Sequence, residues 1–407
     1  VLMYKLSKEV NTRSFAYQQN LSKLSSFSQE IFSGIRVIKA YTLEKKQSDA
    51  YDEATTESKT KFMRLAFTNA LIGPLMVLLI GISNILIVYI GAQMYINGVI
   101  TEIGIIAQFI LYINMLTWPI ASLGWVSTMI QEAESSQKRI NEFLNEAPSI
   151  QSNNEEIKVL NGKIEFNEVH FIYEDTKIHA LNNISFTINK GETVAFLGKT
   201  GSGKSTILQL ISRMYDVSSG TILIDDVNIK EWNVQNLRDQ IAVVPQDAFL
   251  FSDTIKNNIR FGKEDASQEE IEHFAKIADV HKNIIRFDKG YETILGERGI
   301  TLSGGQKQRV SIARALIKDA PALLLDDCLS AVDTETEEQI LNNLKDIADK
   351  KTTIIVTHRV SSAKNADKII VLSEGTILEQ GSHNQLINEN GYYANLYKKQ
   401  LSEKDVK

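Results

Sequence analysis

Two long stretches of this chain carry no charge. Leu65 to Thr101 and Ile103 to Gln131 contain no Asp, Glu, Lys or Arg. Each exceeds the ~20 residues a helix needs to cross a bilayer. Only Asn97–Glu102 lies between them, which predicts a helical hairpin with spans at about 66–96 and 103–131. Buried helices of a soluble core seldom run so far without a charge. Lys59, Lys61 and Arg64 precede the first run, Lys138 and Arg139 follow the second, and the connecting loop has neither Lys nor Arg. Both outer ends are therefore expected on the cytoplasmic side. Residues 5–64 are polar and helical in pattern, with Gly34 the exception inside Phe32–Ala40. From 163 onward, short apolar runs of strand length alternate with helical patterns, as in an α/β domain with a parallel core sheet. The predicted organisation is a membrane segment over 1–145, a polar linker over 146–162 containing Pro148 and Asn153-Asn154, and a second domain over 163–407.

Pro74 and Pro119 fall within the spans, where neighbouring groups can re-satisfy the backbone. Asn69, Asn84, Gln93, Gln108 and Asn114 are polar at membrane depth. They either line a pathway or join helices, and the sequence leaves both open.

The chemistry lies in the second domain. Gly198-Lys199-Thr200-Gly201-Ser202-Gly203-Lys204-Ser205 fits the phosphate-cradling P-loop, G-x-x-x-x-G-K-[ST]. Glu192–Leu197 before it reads as a buried strand, and Ser205–Met214 after it reads as a helix. In that context backbone N–H groups face phosphates at a helix N-terminus. Lys204 would reach the β- and γ-phosphates, and Ser205 would ligate Mg²⁺. A hundred residues on, Leu302-Ser303-Gly304-Gly305-Gln306 is a glycine turn opening a helix through Ile317. The apolar run Ala322–Leu325 then ends in Asp326-Asp327, and Asp326 is placed to hold the Mg²⁺ shell.

Taken together and in this order, these runs resemble the ATPase domain of ABC transporters, of the exporter half-transporter type. The resemblance implies a P-loop ATPase domain with a helical signature subdomain, ATP and Mg²⁺ as cofactors, and a site shared between two such domains. On it, Gly198 to Thr206 form the phosphate loop and Gln246 is the glutamine that contacts Mg²⁺ and senses the γ-phosphate. Ser303, Gly304, Gly305 and Gln306 are the signature that meets the partner's ATP. Ser330-Ala331-Val332-Asp333 is the loop along the dimer seam, and His358 after Thr352–Thr357 is the switch histidine. Tyr173, closing Val169–Tyr173, matches the aromatic that stacks on adenine. Gly296-Glu297-Arg298-Gly299 resembles the segment before the signature that touches the membrane domain, and the region from Gly34 to Tyr41 resembles the turn that docks on the ATPase domain.

Asp327 departs from the pattern. The family usually has Glu here, polarising the attacking water. Asp is one methylene shorter, and a misplacement of about 1 Å can cost about a hundredfold. Such members resemble the weakly hydrolysing half of a heterodimer; a tolerated substitution in an active homodimer is the alternative. An intact signature beside a weakened carboxylate suits a chain that serves its partner's ATP better than its own.

Net charge is -6 with no basic block, which argues against nucleic acid. The one cysteine, Cys328, excludes an internal disulfide and reads as a small packed residue. Val1–Tyr4 reads as the tail of a membrane helix, and two spans cannot enclose a path, so the sequence is expected to be the C-terminal part of a half-transporter. The last residues, Ser402–Lys407, read as a frayed tail. The function implied is ATP-driven export of an unidentified substrate across the cell membrane by alternating access, with the ATPase domain in the cytoplasm and a second half-transporter and the bilayer as partners. A nucleotide-gated channel or regulatory subunit is the alternative, to be separated by ATP turnover coupled to substrate movement. A soluble DNA-repair type ATPase would show coiled-coil heptads and no membrane hairpin.

Overall fold

The computed structural model describes residues 2–405 except Asn153, Glu297, Arg298, Ile300, Asp349 and Lys350. The chain divides into two compact units, 1–146 and 147–407. The first is helical: α1 (Leu2–Ser33), α2 (Ile35–Ala40), α3 (Glu44–Ala70), α4 (Ile72–Ile96) and α5 (Gly104–Leu144). α1 packs along α3 through aromatic pairs, Tyr17 with Phe62 at 5.4 Å and Phe27 with Tyr51 at 6.1 Å between ring centres. Arg13 Nη1 adds hydrogen bonds to Thr68 Oγ1 at 2.7 Å and Arg64 O at 3.1 Å. The chain bends at Gly34 and again at Thr42, whose φ of 55° is left-handed. The segment expected to dock is thus a six-residue helix, α2, isolated between two bends, with Val37 and Tyr41 exposed.

The first apolar run begins at the end of α3 and continues through α4. Pro74, in the first turn of α4, has no N–H to give to Ala70 O, and the break between the helices falls at Leu71. The helical stretch Glu44–Ile96 is long and apolar enough to cross a membrane. The second charge-free run is the N-terminal part of one 41-residue helix, α5, which continues through Pro119; its apolar stretch is Gly104–Ile120. α4 and α5 approach closely where Gly91 has no side chain: a Cβ there would lie 2.8 Å from Ile106 Cγ1.

The second unit is built on two sheets. Strands β1 (Ile164–Ile172), β2 (His179–Ile188), β4 (Ser219–Ile224) and β5 (Val227–Asn228) form an antiparallel sheet in the order β2-β1-β4-β5. Strands β3 (Thr193–Gly198), β6 (Ile241–Val244), β7 (Ala322–Asp326), β8 (Thr352–Thr357), β9 (Lys368–Ser373) and β10 (Thr376–Gly381) form the other, in the order β10-β9-β3-β8-β7-β6. All its pairings are parallel except β9 with β10. β3, β7 and β8 read as continuous apolar runs because both their faces are covered.

Helix α6 (Lys204–Ile211) follows β3, and α7 (Val234–Asp239) precedes β6. A helical layer of α8 (Ile255–Arg260), α9 (Gln268–Ile277), α10 (His281–Ile284) and α11 (Gly304–Ile317) packs its own core around Ile255, Ile271 and Val310. After β7 come α12 (Thr334–Ala348), α13 (Val360–Ala363), α14 (His383–Asn388) and α15 (Tyr392–Asp405).

Two expectations change. The stretch read as a linker has no regular secondary structure, yet from Ala147 it belongs to the second unit. Its backbone is tied down by side chains: Leu160 N donates to Gln240 Oε1 at 2.7 Å, and Lys158 O accepts from Gln240 Nε2 at 2.7 Å. The tail expected to fray from Ser402 is helical to Asp405. α15 is held because Tyr393 is buried and because Gln400 accepts from Val360 N at 2.8 Å and donates to His358 O at 3.0 Å. Val406 and Lys407 lie outside the described residues.

Candidate active site

Three neighbouring parallel strands end on one side of the larger sheet, and the residues that follow them form the site. β3 leaves Gly198 into a loop that enters α6 at Lys204. β8 ends at Thr357, directly before His358, and β7 ends in Asp326, paired in register with Val356. Open α/β sheets bind ligands at such carboxyl ends. A cavity of about 240 Å³ opens there, lined by Tyr173, Ile178, Ala180, Thr200, Gly201, Gly203, Lys204, Ser205, Thr206, Gln246, Asp326, Asp327, Val356 and His358.

The loop depends on its glycines. Gly203 caps α6 with a φ of 96°, and a Cβ there would stand 2.5 Å from Ala180 O, so no side chain fits. Lys204 Nζ donates to Gly198 O at 2.8 Å and Lys199 O at 2.7 Å. Burial lowers its pKa, against the pull of Asp327 and Asp326. Gly198, Lys199 and the buried Ser202 therefore brace the lysine and do not line the cavity.

Asp326 Oδ1 accepts from Ser205 Oγ at 2.8 Å, and burial raises its carboxyl pKa. Asp327 turns the chain out of β7 with a φ of 42°, a left-handed conformation that Asp tolerates better than most residues. Its N–H donates to Val356 O at 2.8 Å. Its Oδ1 lies 3.0 Å from His358 Nδ1, within hydrogen-bond distance. Cys328, next in the chain, is buried, and burial pushes its thiol up to about 12.

Tyr173 stands just past β1, its hydroxyl donating to Gln209 Oε1 at 2.8 Å and meeting Thr206 Oγ1 at 3.1 Å. Phe171 and Tyr215 pack edge-on against its ring. The bonds fix the ring at the cavity wall. Ile178, Ala180 and Val356 complete the apolar side and Gln209 the anchoring; sequence reasoning missed all four, whose apolar or helical positions look like core.

The signature residues are not at this cavity. Ser303 caps α11, accepting from Gln306 N at 3.3 Å while Gln306 Oε1 accepts from Ser303 N at 3.0 Å. Gln306 thus closes a capping box. Gly305 packs against the next loop: a Cβ there would lie 2.9 Å from Ala331 O. Asp333 accepts from Thr336 N at 2.9 Å, where it serves α12 as a cap. The buried Gln308, also missed, joins these pieces: its Oε1 accepts from Ala331 N at 3.1 Å and its Nε2 donates to Gln246 O at 3.5 Å. In the segment before the signature, Glu297 and Arg298 lie outside the described residues.

The profile of the ABC transporter family matches residues 181–330, and that of the ABC transporter transmembrane region matches residues 1–120. The whole chain is 40% identical to the multidrug resistance-like ATP-binding protein MdlA of Buchnera aphidicola, covering 70% of that protein. It is 37% identical to the ATP-dependent lipid A-core flippase of Syntrophus aciditrophicus over 96% of this chain and 65% of the relative, so it spans just under two thirds of that protein's length. The structure of a bacterial Atm1-family ABC exporter with ATP bound superposes with a TM-score of 0.87 at 30% identity, covering 98% of this chain and 70% of the exporter's.

Proposed function

From the premise that the chain belongs to the ABC transporter family, we propose that it is the ATP-binding and permease part of an exporter half, moving a substrate across the membrane by alternating access. ATP closes two ATPase domains face to face, and closure passes through cytoplasmic helix turns to the membrane helices. The observation that carries this reading is one cavity gathering Lys204, Ser205, Gln246, Asp326, Asp327 and His358 in a chain that also holds an apolar helix long enough to span a bilayer. Lys204 and the loop amides bind the phosphates, and the Tyr173 ring faces the base. Ser205, Asp326 and Gln246 would hold Mg²⁺. Ser205 Oγ and Asp326 Oδ1 stand 2.8 Å apart, and an all-oxygen set of this kind suits an ion that arrives with nucleotide phosphates. Bound there, it neutralises charge on the β- and γ-phosphates.

The partner is a second half-transporter whose ATP is completed by Ser303, Gly304 and Gly305 at the N-terminus of α11. The signature residues do not line this chain's own cavity, which supports that division. The chain's own site is the weak one. Asp327 has the shorter reach, and its Oδ1 is engaged by His358 at 3.0 Å, which leaves it poorly placed to polarise a water. Binding of a fluorescent ATP analogue to the purified chain tests the nucleotide reading. Lys204→Ala should weaken it at least tenfold, because the loop loses the cation that meets the phosphates. Undiminished affinity would reject the assignment.

A further inference from the structure

The two residues that follow β8 hold both ends of the loop that follows β7. His358 meets Asp327 at its start, Nδ1 to Oδ1 at 3.0 Å. Arg359 reaches its far end: Nη2 donates to Ser330 O at 3.0 Å and Nη1 to Val332 O at 3.5 Å. The same guanidinium pairs with Glu337, in the first turn of α12, and Ser362 Oγ also donates to that carboxylate. Glu337 is 1% exposed.

A carboxylate buried this deeply must be paired. Pairing alone explains the charge of residue 359 but not its shape. A guanidinium presents a planar fork of donors that an ammonium cannot copy. Here the donors left after Glu337 go to two carbonyls of one loop, not to residue 359's own turn. Arg359 follows His358 directly in the chain, so the residue that meets the start of the loop and the one that holds its far end share one backbone segment.

We propose that Arg359 is a positioning residue for ATP hydrolysis. It sets the path of Ser330–Asp333 from the position of His358, so the state of this chain's carboxylate site governs the loop it offers across the dimer seam. The proposal rests on the ATPase reading above.

The test uses the intact transporter with its partner half. Arg359→Met alone strands a buried charge and can unfold the domain. Two variants avoid this. Glu337→Leu/Arg359→Met removes the pair together, a replacement that buried ion pairs often tolerate. Arg359→Lys keeps a charge opposite Glu337 and loses the fork. Both should melt within a few degrees of the parent and bind a fluorescent ATP analogue equally well. Both should lose at least tenfold in kcat with KM for ATP unchanged. Should the double variant fail to fold, Arg359→Lys decides by itself. Parental kcat in a folded variant overturns the proposal and makes the pair purely structural. An unsubstituted transporter that binds no ATP analogue removes the nucleotide reading, and the proposal with it.

Discussion

At the scale of single residues, Asp326 sets chemistry against stability. Burial raises its carboxyl pKa above the ordinary 3.8, although the Ser205 hydroxyl opposes the shift. The unfolded chain therefore releases this proton at lower pH than the folded protein does. Stability falls as pH rises above 3.8 and through the raised folded value. Asp326→Asn ends the titration and keeps an acceptor for Ser205. The variant should melt a few degrees above the parent at pH 7, with the gap closing as the pH approaches 3.8. Melting curves across pH check this; a gap independent of pH contradicts it. Asp327 was legible as a departure from a motif, which drew attention to its reach. Its left-handed backbone was not legible, since φ depends on the Val356 carbonyl that holds its N–H. That geometry gives a second reason for Asp here, because Glu adopts such a φ less readily.

At the scale of elements, short apolar runs were read to within a residue: Glu192–Leu197 and Ala322–Leu325 correspond to β3, Thr193–Gly198, and β7, Ala322–Asp326. Where boundaries depend on distant side chains, the sequence was silent. Gln240 pins the stretch before β1 from eighty positions away, and Gln400 does the same for the turn after β8. Periodicity carries no sign of such pairings. Charge did predict the hairpin of α4 and α5, and its sidedness can be measured. Cys328 is the one cysteine and is buried, so the parent chain is a quiet background for labelling. Val99→Cys, at the exposed turn, should react with a membrane-impermeant maleimide in intact cells, whereas Ser149→Cys should react only after permeabilisation. The reverse pattern contradicts the positive-inside assignment.

For the whole molecule, the question is which chain's carboxylate does the work. The cavity of this chain is lined by a phosphate loop, two half-buried Asp residues and a histidine, but not by its own signature residues. The signature helix instead packs against the seam loop through Gly305 and Gln308. In the proposed assembly with a second half-transporter, two composite sites form, and most turnover is expected at the one that borrows Ser303 and Gly305 from this chain. Gly305→Asp puts a carboxylate at the helix N-terminus proposed to meet the partner's γ-phosphate and leaves its Cβ 2.9 Å from Ala331 O. The most direct measurement is ATP turnover of the assembled transporter carrying Gly305→Asp or Asp327→Asn in this chain. Gly305→Asp is expected to lower turnover about a hundredfold, the scale of losing one oxyanion donor, and Asp327→Asn to lower it by less than about threefold, within 1 kcal/mol of barrier. Equal damage from the two would contradict this expectation, making Asp327 the working base and two identical chains the better assembly.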